Sequence, residues 1–297
     1  MPTALREHLF HDLHDHRKGA GTVLGASTRR VRAYASGIDL PLNDAELRAW
    51  YTSMAAQGFS AGKLKIGLDR EADMRRLGIM QQALATSGKR PELMVDINEY
   101  WSPKQAIRHL HYIEEAYDLV FVEEPARRWD WRGLRQVREG IRAAVATGEN
   151  LKEVHEFVPL IHHEAVDIVQ IGTGGASGIT GSLQVADLAY AYNLPVSFIN
   201  SPGNFMAHLA AALPNHLSME VIAAGRDAVF TIDTRIEDGW VVLGDAPGLG
   251  VTFSAELLAQ HGVDAPPKAG QAKAWGRRRG AGLYEVGPDE PPELDEE

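Results

Sequence analysis

The strongest constraint on how this chain can fold is a rhythm. From Arg30 onward, short aliphatic or β-branched runs alternate with stretches of helical period. The runs span 31–35, 63–66, 93–97, 119–122, 144–147, 168–171, 196–199 and 217–222. Runs this short, apolar on both faces and separated by helices, read as parallel strands buried beneath helices. Eight of them at this spacing favour a closed (β/α)8 barrel of the TIM type over an open doubly wound sheet. The helices between them are also legible. Asp44 is placed to cap a helix over 45–57 that stops at Gly58, and Pro103 opens another. A third covers 184–192 and ends at Asn193.

The flanks read differently. Leu5, Leu9 and Leu13 recur every four residues, so 4–16 reads as a helix halted by Gly19 and Gly21. Residues 230–253 alternate, with turn signals at Asp238-Gly239 and Pro247-Gly248, as in a hairpin. The expected organisation is a lead-in helix within 1–30, a barrel over 31–229, a hairpin-like extension over 230–262 and an acidic, flexible tail over 263–297. A net charge of −10 argues against nucleic acid and anionic membrane as partners. With no cysteine, disulfides, thiolate metal sites and a cysteine nucleophile are excluded. No signal-peptide core and no run long enough to span a bilayer are visible, so a cytoplasmic protein is expected.

Barrels of this kind place their chemistry at the C-terminal ends of the strands. A buried strand stays apolar up to that point, so an acid that ends an apolar run is informative. Asp96 interrupts LMVDIN, Glu123 ends LVFVEEP, and Glu149 follows AVATGEN. They lie 27 and 26 residues apart, each about one βα unit of a barrel. Three successive strands thus deliver one carboxylate each to the same rim. Without a cation, each pair at about 4 Å would repel by roughly 4 kcal/mol at an effective dielectric of about 20. A hard divalent cation removes that cost, and oxygen-only ligands point to Mg2+ over Zn2+. One unit earlier, Lys63 and Lys65 share a face of their strand. Two adjacent ammonium groups beside a cation lower each other's proton affinity, so one can serve as a neutral base.

The segments GFSAGKLKIG, MVDIN, VEEP, ATGEN and SGITG occur in that order. Together they resemble the mandelate racemase and muconate lactonizing enzyme families of the enolase superfamily, over about residues 4 to 262. The superfamily uses a Lys or His base with Mg2+ to stabilise an ene-diolate, a chemistry already on record for it. The resemblance implies that Asp96, Glu123 and Glu149 are the Mg2+ ligands, Lys65 the base and Lys63 an electrostatic helper. It further implies that Glu220, at the end of LSMEVI, contacts the substrate, and that Glu124 and Asn98 support the ligands.

The sequence departs from these relatives at two places. Gly172 stands where they carry an Asp or Lys on strand six, and Ile199 or Asn200 where they carry a His on strand seven. The base on the opposite face of the substrate is thus missing, which favours one-base chemistry over racemisation. The relatives also place an α+β capping domain before the barrel, and most of it is expected to be missing here. The expected activity is Mg2+-dependent removal of the proton α to a carboxylate, most simply dehydration of a hydroxy (sugar) acid. An epimerase or racemase, a cycloisomerase, or a non-catalytic acid-binding barrel are the alternatives. Tyr100 and His208 are candidates for the acid that releases the hydroxyl. Tyr100, Trp101, Arg127, Arg128, Trp129 and Trp131 are candidates for the mouth. The expected partners are a small carboxylate substrate and further copies of the chain in a homo-oligomer. The Gly-rich IGTGGASGITG fails as a dinucleotide fingerprint because residue 177 is Ser. His8, His11 and His14, three residues apart, read as helix-surface polars rather than as a metal face.

Overall fold

The structure, a computed structural model, describes residues 18–37, 39–172, 176, 178–222 and 230–261. The expected helix over 4–16, with its three histidines, and the acidic tail lie outside the described residues. After a single helical turn, α1 (Ala20–Val23), strands and helices alternate. They run β1 (Arg30–Ser36), α2 (Asp44–Ala56), β2 (Ala61–Lys65), α3 (Arg70–Ala85), β3 (Glu92–Asp96), α4 (Pro103–Glu114), β4 (Leu119–Glu123) and α5 (Trp131–Gly140). The second half continues with β5 (Ala144–Thr147), α6 (Val154–His162), β6 (Ile168–Ile171), α7 (Gly178–Ala191), β7 (Val196–Phe198), α8 (Ala207–Ala210) and β8 (His216–Val221). Strands β1 to β8 neighbour one another in sequence order, and β8 returns to pair in parallel with β1. The chain therefore forms the closed parallel barrel that the rhythm predicts.

The eight apolar runs are the eight strands, displaced by two residues at most. The largest displacement is in β2, which begins at Ala61. Gly62 carries no strand propensity, but a Cβ there would come within 2.7 Å of Leu84 on α3. Close helix packing, and not strand preference, selects that glycine. One cap differs from expectation. Asn43, not Asp44, caps α2: its side chain accepts from the Ala45 and Glu46 amides at 3.0 Å, and Glu46 accepts from the Asn43 amide. This reciprocal box is worth about 1 kcal/mol. Asp44 is already inside the helix and pairs with Arg75 instead.

Two cores result from the alternation of side chains along each strand. Outward residues such as Leu64, Val95, Val122, Val145 and Val169 are sealed under the helices. Inward residues Tyr34, Ala61, Met94, Phe121, Ala146 and Ile168 plug the lower barrel, with Tyr34 edge-on to Phe121. Above the plug the interior turns polar: Ser36, Lys63, Asp96, Glu123, Gln170 and Glu220 are all buried. Burying charge is costly unless it is paired, so this layer serves something other than stability.

Among the described residues, four further strands follow the barrel: β9 (Phe230–Ile232), β10 (Arg235–Glu237), β11 (Trp240–Val242) and β12 (Val251–Phe253), before α9 (Ala255–His261). Strands β10 and β11 form a hairpin across Asp238-Gly239, both at positive φ, as a two-residue type I′ turn requires. The hairpin extends the barrel, because β11 pairs antiparallel with the first half of β1. Strand β9 pairs with β12. Among the described residues, no helix is long and apolar enough to cross a membrane.

Candidate active site

Lys65, Asp96 and Glu123 each end their strand, and the ladders make them successive register partners across β2, β3 and β4. Three charged side chains therefore stand in a row at one level of the barrel rim. Lys63 lies one inward position deeper on β2, level with Ser36 of β1. Glu220 faces Tyr34 across β8 and β1, and Glu149 follows β5 by two residues.

The ammonium groups hold this arrangement together. Lys63 Nζ lies 2.5 Å from Glu123, 3.0 Å from Glu220 and 3.7 Å from Asp96, and it sits over the Tyr34 ring. Lys65 Nζ donates to Asp96 at 2.6 Å and to the Asn98 side-chain oxygen at 2.8 Å. Neutral donors complete the set. Gln170 donates to Glu123, Asn200 donates to Glu220 from both its main chain and its amide, and Asn150 donates to Glu124 and Glu149.

The electrostatics divide the acids. Burial raises Glu220, but Lys63 and the two Asn200 bonds overcome it and hold that carboxyl down at about 2. Asp96 is likewise held low, because Lys65 and Lys63 outweigh its burial. Glu123 goes the other way: burial, with Asp96, Glu149 and Glu220 nearby, pushes it up to about 8 against the pull of Lys63. Burial with Glu124 and Asp96 pushes Glu149 up to about 8 as well, and burial with Asp96 and Glu99 does the same to Glu124. The two lysines answer to the same acids. Burial lowers each of them and Lys63 lowers Lys65, yet the carboxylates win, and both ammonium groups are held above their ordinary range. The acids, not the neighbouring amine, set lysine protonation in this arrangement.

The loops beyond the row are strained in a way that aims it. Asn98, Glu99 and Glu124 have φ of 46°, 62° and 43°. Left-handed backbone at residues other than glycine costs on the order of 1–3 kcal/mol each and persists only where the surroundings enforce it. Here the Glu124 amide donates to the Ala146 carbonyl, the Glu99 amide to the Glu124 carbonyl, and the Asn98 amide to the Asp96 carboxylate.

Among the described residues, no three acidic or imidazole side chains stand ready-grouped for a metal ion. The Lys63 ammonium stands among Asp96, Glu123 and Glu220 instead. The donor chemistry nevertheless fits a hard cation. Five carboxylates (Asp96, Glu123, Glu124, Glu149 and Glu220) cluster with only two ammonium groups, and burial together with neighbouring acids raises Glu123, Glu124 and Glu149. Glu123 Oε1 is buried with no hydrogen-bond partner, a lone pair directed at no donor.

Other candidates sort clearly. Gly172 does stand at the end of strand six, and a Cβ there would lie 2.4 Å from the main-chain oxygen of Glu149. A side chain at that position needs the backbone to move, so this barrel has no room there for the second base that the sequence resemblance would place. His208 is buried, accepts from the Gly21 amide and faces the Leu249 carbonyl, so it joins α8 to α1 and to the segment before β12. Trp101 is also buried, with its indole donating to the Gly67 carbonyl. Trp131 stacks on His163. Trp129 remains exposed, flanked by the Arg127 and Arg128 guanidinium groups, and Arg128 pairs with Glu99. Sequence reasoning missed Gln170. The signal was present, because a polar residue interrupts DIVQIG as Asp96 interrupts LMVDIN.

The profile of the family described as Enolase C-terminal domain-like matches residues 46–257. The chain belongs to the mandelate racemase and muconate lactonizing enzyme branch of the enolase superfamily. Across 236 residues, 78% of its length, it is 30% identical to a 3,6-anhydro-alpha-L-galactonate cycloisomerase of Streptomyces coelicolor. Over 182 residues, 58% of its length, it is 32% identical to a D-galactonate dehydratase family member of Oceanicola granulosus. The chain spans 63% and 44% of those two relatives, respectively. Among solved structures it resembles a racemase from Streptomyces coelicolor with bound magnesium. That likeness has a TM-score of 0.77 at 28% identity, and covers 86% of this chain and 70% of the other.

Proposed function

We propose that this barrel removes the proton α to the carboxylate of a hydroxy acid of the sugar-acid class, with Mg2+ as cofactor, and expels a β-hydroxyl as water. The observation that carries the reading is the register row Lys65–Asp96–Glu123, which sets an amine beside two carboxylates at one level of the rim. Asp96, Glu123 and Glu149 would hold the cation. When bound there, it supplies a Lewis acid for the substrate carboxylate and offsets the acids that hold the amines protonated. Lys65, the more exposed of the two lysines, takes the α-proton onto Nζ and returns it to the departing β-hydroxyl, which leaves as water. Lys63, pinned by three carboxylates, stays charged and stabilises the negative charge that develops on the substrate. Glu220, fixed by Asn200 and Lys63, orients the substrate.

Cycloisomerisation by the same single base is the second reading, favoured by the closed position at Gly172. It is separated from dehydration by deuterium entering the α-carbon without loss of water. Racemisation needs a proton donor on each face, and Gly172 offers none.

The proposal is tested by titrating Mg2+ into the protein by calorimetry, alongside Glu149→Gln. Saturable binding by the wild type that weakens at least about tenfold in the variant is the expected result. No binding by the wild type would remove the metal reading and leave a non-catalytic, acid-binding barrel as the better account.

A further inference from the structure

Both lysines ride on one strand end, and the structure shows what grips it. The ladder between β1 and β2 stops at the pair Ser36 and Lys63. Beyond it, the Lys63 carbonyl and the Lys65 amide need partners that β1 no longer supplies. Two side chains take over. The Tyr51 hydroxyl, from α2, lies 2.5 Å from the Lys63 main-chain oxygen and 2.8 Å from Asp39 Oδ2. Asp39 Oδ1 accepts from the Lys65 amide at 3.1 Å. Tyr51 and Asp39 are both fully buried. The two peptide groups flanking Leu64 are thus held by a buried acid and a buried phenol.

The hydrogens in this clasp do not come out even. Tyr51 has one hydroxyl hydrogen and faces two acceptors. Both contacts are hydrogen bonds at once only when Asp39 carries a proton and donates it to the phenolic oxygen. The charged groups facing the pair are Lys65, Arg76, whose guanidinium donates to the Asp39 main-chain oxygen at 2.7 Å, and Lys63 on the Tyr51 side. Burial pushes Asp39 up to about 6, against the Tyr51 and Lys65 bonds and the charge of Arg76. A raised acid makes the folded state the tighter proton binder, so this site favours folding more as pH falls from about 6 toward the usual carboxylate range.

We propose that Asp39 and Tyr51 are positioning residues for the two lysines, and that the proton they share sets how firmly the Lys63 carbonyl is held. With Asp39 neutral, the Tyr51 hydrogen goes to Lys63. With Asp39 ionised, the carboxylate competes for that hydrogen and the strand end loosens. The inference rests on reading Lys63 and Lys65 as the working amines, but its test needs no turnover.

The experiment is NMR of the full chain labelled with 15N-lysine, following the main-chain and side-chain signals of Lys63 and Lys65 as pH is varied. The Lys65 amide is expected to move with a midpoint near pH 6, and this movement is lost in Asp39→Asn. Tyr51→Phe, which removes one oxygen, is expected to displace both lysine side-chain signals. Two results would overturn the proposal: a wild-type Lys65 amide indifferent to pH across that window, or a folded Tyr51→Phe of reduced stability with lysine signals unmoved. The second result would mark a purely structural bond. If Tyr51→Phe does not fold, Asp39→Asn decides alone, since it keeps the size and an acceptor oxygen. Retained movement of the Lys65 amide in that variant would overturn the proposal, and its loss supports it. Inactivity of Lys65→Ala with unmoved signals in the clasp variants would leave the catalytic reading standing and remove this one.

Discussion

Replacing Lys63 by methionine is expected to destabilise the fold by about 3–5 kcal/mol, the usual consequence of removing one member of a buried ion cluster. The side chain is 1% exposed and its nitrogen lies within 3.7 Å of three buried carboxylates. Methionine fills similar volume, so the loss is charge and not packing. The pH dependence gives a second handle. In the wild type, Glu220 is held at about 2, so its pairing contributes stability at neutral pH that is lost progressively as pH falls from the ordinary carboxylate range through about 2. Without Lys63, Glu220 and Asp96 lose a partner that holds them low, so the variant should gain more stability than the wild type on mild acidification. Urea denaturation at neutral and mildly acidic pH measures both effects. A variant with wild-type stability at neutral pH would mean that the acids are solvated rather than buried.

Replacing Lys65 by alanine is expected to leave the fold nearly intact and to lower turnover of a true hydroxy-acid substrate by about 10²–10⁴-fold, the usual worth of a general base. Lys65 is partly exposed, and its partner Asp96 keeps Lys63 and Asn98. Arginine at this position keeps the charge but cannot give up its proton, so Lys65→Arg should be as inactive as alanine. Steady-state kinetics on hydroxy acids, read with the thermal midpoint of each variant, separates the two outcomes. Activity within tenfold of the wild type in Lys65→Ala would refute the base assignment.

The fold was legible because its elements advertise themselves locally. Apolar runs of strand length, one per βα unit, leave little besides a barrel, and Asp96 and Glu123 show against them as charges where burial forbids charge. What stayed hidden depends on partners that the sequence does not place together. Asp39 and Tyr51 lie on a loop and a helix, and nothing in their spacing says that both reach the backbone of β2. The proton balance of the lysines depends on the same kind of unseen partner. Their closeness to each other is visible in the sequence, but their closeness to Glu123, Glu220 and Asp96 is a property of the closed barrel. Asn43 displaced Asp44 as a helix cap because two adjacent residues of equal capping strength differ only in which backbone hydrogens they can reach.

The pairing of β1 carries a consequence for how the chain comes to be folded at all. Tyr34 meets Glu220, 186 residues on, and Val31 meets Val241, 210 residues on. At synthesis rates of about 5–20 residues per second, β1 waits on the order of ten to forty seconds after leaving the ribosome for its last partner. Meanwhile one of its edges stays open to mispairing, and the loop that must close is nearly as long as the barrel. Pulsed hydrogen exchange during refolding should therefore show the amides of 30–32 protected after those of β3 and β4; equal protection times would mean that closure is not the late step. A barrel assembled in this order has its row of Lys65, Asp96 and Glu123 aligned before its wall is complete, so the nascent chain carries a charged, half-open trough that needs shelter until β8 and the final hairpin seal it.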